Sequence, residues 1–324
     1  GKNHKLLKQN KRKPMLNRAV MGTYPPGSTF KITQSLIGLQ EGIITPQTQF
    51  PCSGGFNYKG LHVGCHGHAS PIALVPAIAT SCNAYFCWNL YRMLDNRSKY
   101  ERTDEAFTLW KDYMVSMGYG YKLGIDLPSE ARGMIPNADY YDKYLGKNWN
   151  GLTVVSISIG QGEVTATPLQ IANLGAMVAN RGYFYTPHVV KEIQGGQLDS
   201  LYTTKRKPMI DEKWYPYAVD GMRSAVTGGT CRGANIPGLD VCGKTGTAQN
   251  RGQDHSIFMG FAPKENPKIA VSVYVENGGF GATFGVPIGA LIIEQYLNGE
   301  LSEGSKAKAN SIQARKISYP LYDK

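Results

Sequence analysis

The chain has 324 residues, 42% hydrophobic and 18% charged, with 35 Lys and Arg against 24 Asp and Glu for a net charge of +11. That is an ordinary globular profile, long enough to bury a full core, and its six cysteines (Cys52, Cys65, Cys82, Cys87, Cys231, Cys242) are too sparse for a small disulfide scaffold. No run approaches 18 apolar residues, which excludes a membrane-spanning helix within the sequence, and no helix-turn-helix, zinc-finger or RNP-like pattern accompanies the positive charge, so nucleic acid is not the expected partner.

In chain order, Lys2, Lys5, Lys8, Lys11, Arg12 and Lys13 read as a short solvated basic loop. Tyr24-Pro25-Pro26-Gly27 forbids helix; Ser28 then opens one, with Ile32, Ser35, Leu36 and Leu39 at helical spacing and Gly42 ending the run. Residues 46–70 read as irregular, and 71–95 as two helical pieces broken near Ser81-Cys82-Asn83. Residues 103–118 predict an amphipathic helix, and 119–151 a loop-rich stretch. After Gly160-Gln161-Gly162, Thr167-Pro168-Leu169-Gln170 opens a helix to Ala179. The pattern alternates from residue 183, and most clearly predicts a meander: Val241–Gln249, Ser256–Ala262 and Ile269–Val275. A helix at about 288–296 and a polar tail over 300–324 complete the reading. Helices first and antiparallel strands later suggest an α+β fold.

Three short motifs carry chemistry. In Ser28-Thr29-Phe30-Lys31, positions i and i+3 share a helix face, so an amine stands beside a hydroxyl that needs a base to become a nucleophile. Taken alone, a capping Ser with a solvated Lys explains the pattern equally well. Ser81 and Asn83, either side of Cys82, can present two polar side chains to a cleft, or Ser81 can simply cap the next helix. In Lys244-Thr245-Gly246-Thr247, strand alternation puts Lys244 and Gly246 on one face and the two threonines on the other. A strand glycine admits a second backbone, which suits a peptide lying along a sheet edge. This ordered triple is the one known from penicillin-binding proteins and class A β-lactamases.

Around these residues the sequence resembles class B penicillin-binding proteins of the elongation type, the penicillin-binding protein 2 group. The resemblance rests on Asn17-Arg18-Ala19 through Lys31, Gly124-Ile125-Asp126-Leu127-Pro128, Gly160-Gln161-Gly162 with Thr167-Pro168-Leu169-Gln170, Gly243 through Gln249, and Phe258-Met259-Gly260-Phe261-Ala262-Pro263. It spans roughly residues 15–297. It implies an α+β transpeptidase fold, an antiparallel sheet flanked by helices, with the N-terminal strands of that fold missing from this chain. Residues 1–300 are then a transpeptidase domain incomplete at its N-terminus, and 301–324 a polar tail, within a longer protein anchored at the periplasmic face of the inner membrane.

The resemblance further implies a serine D,D-transpeptidase that cross-links stem peptides ending in D-Ala-D-Ala and is acylated by β-lactams. Ser28 would be the nucleophile and Lys31 its base. Ser81, Asn83 and Lys244 would relay protons and orient the site. Thr245, Gly246 and Thr247 would bind substrate. No cofactor is required, and the implied partners are cell-wall elongation machinery including a glycosyltransferase. A D,D-carboxypeptidase, a β-lactamase or a non-catalytic β-lactam sensor would keep the same motifs. Glu163 does not match the glutamate that activates water in class A β-lactamases, so slow deacylation is expected. Separately, Cys52, Cys65, Cys82 and one histidine, His68 or alternatively His66, make a tetrahedral zinc set. A similar site occurs in some elongation-type relatives. The competing reading is a Cys52–Cys65 disulfide with a buried Cys82.

Overall fold

A computed structural model describes residues 1–319. Helices α1 (Lys2–Gln9) and α2 (Arg18–Met21) lead into the turn Tyr24-Pro25-Pro26. The chain then tightens into a 3-10 turn, Gly27–Phe30, that runs directly into α3 (Lys31–Gln40). A hairpin of β1 (Gly55–Tyr58) and β2 (Leu61–Gly64) follows, closed by Lys59 and Gly60, both at positive φ as a two-residue turn requires. Helices α4 (Leu74–Thr80), α5 (Asn83–Leu94), α6 (Thr103–Ser116) and α7 (Ala138–Leu145) come next. Helix α8 (Pro168–Ala179) begins with a reciprocal cap: Thr167 Oγ1 accepts from Gln170 N, and Gln170 Oε1 accepts from Thr167 N. After α9 (Ser200–Thr203) and α10 (Tyr215–Thr227) come strands β3 (Cys242–Ala248), β4 (His255–Ala262) and β5 (Ile269–Val275). Helices α11 (Gly285–Asn298) and α12 (Glu303–Gln313) finish the described chain.

The three long strands form one antiparallel sheet in the order β3-β4-β5. Side chains of β4 alternate faces: Ile257, Met259 and Phe261 join the main core, whereas Phe258 and Ala262 join a smaller core under α11. Helix α8 covers the first face and α11 the second, so the sheet is sandwiched. The main core extends from there through α3, α4, α5 and α6, and places the α3 N-terminus against β3.

Several expectations need correction. The basic N-terminus is helical, not a loop, although every residue of α1 is exposed. The stretch 46–70 holds a hairpin, and 119–151 holds α7. The alternation read from residue 183 produces no sheet strand before β3; only the bridge between Phe184 and Arg206 forms, and 215–227 is helix. Gly221 lowers the helix propensity of α10 but lets it approach α4, since a Cβ there would lie 2.7 Å from Ile78. The polar tail contains α12, fixed to α11 where Glu294 accepts from Ser302 N at 2.9 Å and from the Ser305 hydroxyl. Residues 320–324 of that expected tail lie outside the described residues.

Candidate active site

Ser28 sits in the 3-10 turn ahead of α3, where first-turn N–H groups lack i−4 acceptors. Its place is fixed by two glycines. Gly27 (φ +55) packs so closely on β3 that a Cβ would stand 2.9 Å from Thr247 O. Gly160 (φ +71) accepts Gly27 N at 3.0 Å, and a Cβ there would be 2.2 Å from Gly27 O. Only glycine fits at either point, and together they clamp the serine turn to the strand. The Gly160-Gln161-Gly162 segment therefore has a mechanical reason to be there.

Two buried amines meet at one hydroxyl. Lys31 Nζ donates to Asn83 Oδ1 at 2.6 Å, Ser81 O at 2.7 Å and Ser81 Oγ at 3.2 Å. Lys244 Nζ donates to Ser81 Oγ at 2.8 Å and to Thr245 O at 3.1 Å. Both lysine side chains are fully buried. Burial disfavours their charged forms and lowers Lys31 to about 8; burial, then the Lys31 charge, lowers Lys244 to about 7. The three donors of a charged Lys31 are thus all committed to the Ser81–Asn83 turn, not to Ser28. Losing one proton would free a lone pair.

Ser81 adopts φ 59°, ψ 43°, a left-handed conformation that costs a non-glycine residue on the order of 1–3 kcal/mol. This turn separates α4 from α5 and aims the serine side chain inward. Ser81 does not cap α5; the cap is Cys82, whose Sγ accepts from Tyr85 N at 3.3 Å. Asn83 Nδ2 donates to Gly64 O at 2.7 Å, so the β2 end holds the amide that holds Lys31.

Ser28, Ser81, Asn83, Thr245 and Thr247 line a single groove of about 760 Å³, within the usual size of a ligand site. Gly246 is not on its wall; a Cβ there would meet Ile257 and, at 3.2 Å, Pro26 O. The backbone it admits is the protein's own turn before Ser28, not a peptide at the edge. Sequence reasoning missed Gln161, Thr230, Gln249, Asp254 and Phe280, which also line the groove. Thr245 Oγ1 bonds Thr230 Oγ1 at 2.8 Å, and Gln161 Nε2 reaches Thr247 O at 3.4 Å. A threonine after Gly228-Gly229 carries no distinctive signal, which is why it escaped notice. Glu163 is held by the Tyr141 hydroxyl at 2.9 Å, off the groove.

Behind the Ser81–Asn83 turn, ligand atoms of Cys52, Cys65, His68 and Cys82 lie within 4.8 Å of one another. All six cysteines are free thiols. His68 Nδ1–H donates to Ala69 O at 2.8 Å, leaving Nε2 as a lone pair 3.5 Å from Cys65 Sγ, the tautomer a metal-binding imidazole needs. His66 instead turns its Nε2 to Thr80 O. The Cys82 thiol, bonded to Cys65 sulfur, holds Cys65 far below the usual thiol range and itself far above it. Asn83 N also donates to Cys65 Sγ at 3.2 Å. Three sulfurs, an oriented imidazole and N–H donors to sulfur fit a four-coordinate zinc ion.

Comparison with known proteins gives a consistent result. Residues 2–295 match the family model described as penicillin binding protein transpeptidase domain. The peptidoglycan D,D-transpeptidase MrdA of Acinetobacter baumannii is 34% identical over 314 residues, covering 87% of this chain and 44% of that protein. The crystal structure of Pseudomonas aeruginosa PBP2 in complex with WCK 5153 superposes with a TM-score of 0.78 at 29% identity, covering 94% of this chain and 66% of the other. A chain from a peptidoglycan synthase complex that coordinates polymerization and crosslinking gives 0.76 at 29% identity, covering 93% and 51%. The chain spans less than half the length of the MrdA relative.

Proposed function

Because the chain belongs to the penicillin-binding protein transpeptidase family, we propose that it cross-links peptidoglycan stem peptides through an acyl-enzyme on Ser28. The observation that carries this reading is the meeting of Lys31 and Lys244 on Ser81 Oγ, at 3.2 and 2.8 Å, on the wall of the groove that also presents Ser28.

Ser28 Oγ attacks the carbonyl of the penultimate D-Ala, and its proton passes to neutral Lys31. The N–H groups of Ser28 and Thr247 take the oxyanion; Gly27 presses these two backbones together. Collapse of the tetrahedral intermediate breaks the D-Ala-D-Ala bond. The leaving amine gains a proton through Ser81 Oγ, which Lys244 recharges. Thr245 and Thr247 hold the terminal carboxylate, with Thr230 behind Thr245 and the Lys244 charge nearby. An amine from a neighbouring stem then attacks the acyl-enzyme, forms the cross-link and loses a proton through Ser81 Oγ to Lys244; the ester bond to Ser28 breaks, and Ser28 Oγ takes its proton back from Lys31. β-Lactams resemble D-Ala-D-Ala and acylate the same serine. Glu163, held by the Tyr141 hydroxyl off the groove, is not placed to activate water at Ser28, so slow deacylation is expected and rapid turnover would favour a β-lactamase.

Cys52, Cys65, His68 and Cys82 would hold one zinc ion. Four protein ligands leave no open position, so its contribution is to brace the turn carrying Ser81 and Asn83. No described helix is long and apolar enough to cross a membrane. The working location is the periplasmic face of the inner membrane, where stem peptides are exposed, beside a glycosyltransferase partner; in a similar chain's synthase complex, polymerization and crosslinking are coordinated. The test is labelled penicillin with Ser28→Ala: the wild-type chain labels covalently and the variant does not. Continued labelling of the variant would sink the assignment.

A further inference from the structure

The groove is charged at both ends. At one end the buried amines of Lys31 and Lys244 stand behind Ser81 and Thr245. At the other stands Asp254, the sole carboxylate among its described lining residues. His255 pairs with Ala248 at the end of the ladder, and Asp254 is the loop residue just before it; carried one step further, the same register sets Asp254 level with Gln249, two residues past Thr247 and four past Thr245. At about 3.3 Å per residue, that is roughly 7 Å beyond Thr247 and roughly 13 Å beyond Thr245. No ion pair or side-chain hydrogen bond within the described residues uses this carboxylate. Its main-chain carbonyl accepts Gly279 N at 2.8 Å, which ties the hairpin to the loop bearing Phe280 at the groove rim.

The next step rests on the acyl-transfer reading above. That reading puts the donor carboxylate at Thr245 and Thr247 and the scissile carbonyl at Ser28, so upstream stem residues run toward Gln249. The residue just before D-Ala-D-Ala lies two positions from the chain end, about 7 Å along an extended peptide. A long side chain there reaches Asp254. Cross-linking needs stems that carry an amine, and a stem acting as donor brings that same amine, as an ammonium, into the groove.

We infer that Asp254 binds a side-chain ammonium on the donor-stem residue immediately before D-Ala-D-Ala, and so selects stems that carry one. The bipolar groove matches the two charges of such a peptide tail, an anion at its end and a cation about two residues upstream.

The test compares Nα-acetyl-L-Lys-D-Ala-D-Ala with Nα,Nε-diacetyl-L-Lys-D-Ala-D-Ala, which differ only in the ammonium. In the unmutated chain, kcat/KM for D-Ala release favours the free amine about fivefold, the scale of a partly exposed ion pair. Asp254→Asn brings the ratio to about one, and Asp254→Glu keeps a preference for the free amine. A ratio of one in the unmutated chain, or an undiminished ratio in Asp254→Asn, overturns the inference while leaving acyl transfer intact. If neither peptide releases D-Ala and penicillin fails to acylate Ser28, the acyl-transfer reading falls and takes this inference with it.

Discussion

Lys31 and Lys244 show how far burial can tune a single residue. A lysine in water stays charged to about pH 10 and is no base at neutrality. Here burial brings Lys31 to about 8 and Lys244 to about 7. The proposed reaction needs Lys31 neutral and Lys244 charged, so the rate of Ser28 acylation should peak at about pH 7 to 8 and fall on either side, while Lys31→Ala should lower it by roughly 10²–10⁴ at that optimum; stopped-flow acylation by a chromogenic β-lactam reads both. A flat profile would mean that neither amine acts as the base. The same shifts bear on stability. Both folded-state values are depressed below the unfolded value, so between about 7 and about 10 the unfolded chain binds more protons. Stability should rise with pH across that window, other groups being equal. That Ser28 and Lys31 lie close on one helical turn was legible from their i, i+3 spacing; that the Lys31 amine is spent on Ser81 and Asn83 instead of Ser28 was not. The sharing of Ser81 by two lysines was not, since Lys31 and Lys244 are far apart in sequence and only packing brings them together. Asp254 likewise looks like any turn residue until the hairpin places it on the groove.

At the scale of the element, strand and helix packing decide what local propensity leaves open. The meander was readable because three short strand-length runs are separated by turns that carry Gly or Pro; β4 itself is apolar on both faces. Helix α10 was not, because Gly221 and a mixed composition hide a helical stripe that becomes clear only against α4. Helix α11 reaches the sheet through Gly289, where a Cβ would fall 2.2 Å from the Phe258 ring. Gly289→Ala should thus destabilise the chain by about 1–3 kcal/mol through overpacking, seen as a lower urea midpoint with unchanged slope. The hairpin of β1 and β2 is tied to the Ser81–Asn83 turn by Asn83 Nδ2 to Gly64 O and by the Cys65 sulfur. Metal analysis of the purified chain should find about one zinc per molecule, and a chelator should lower both Tm and the acylation rate. Zinc-free protein with two fewer titratable thiols would instead point to a disulfide. The three cysteines and two candidate histidines were legible as residue types close together in the sequence; that His68, not His66, turns Nε2 to the sulfurs needed the Ala69 hydrogen bond.

Across the whole molecule, the described sheet has three strands with β4 central and β3 and β5 at its edges. Amides of β4 pair on both sides, so hydrogen exchange should be slowest there and faster along β5, whose outer edge has no partner strand among the described residues. Helices α8 and α11 on opposite faces make this sheet the frame on which the serine turn, the Ser81 turn and β3 converge. That convergence was visible as motif order in the sequence; the clamp that enforces it, Gly27 against Thr247 and Gly160, was not, because glycine in a turn announces flexibility before it announces contact. If these three elements converge as described, they produce one reactive hydroxyl, that of Ser28. Peptide-level mass spectrometry over time after penicillin exposure tests that directly. The structure predicts a single penicilloyl adduct on Ser28, released slowly. An adduct on another residue, or rapid turnover of the drug with no trapped adduct, would contradict it.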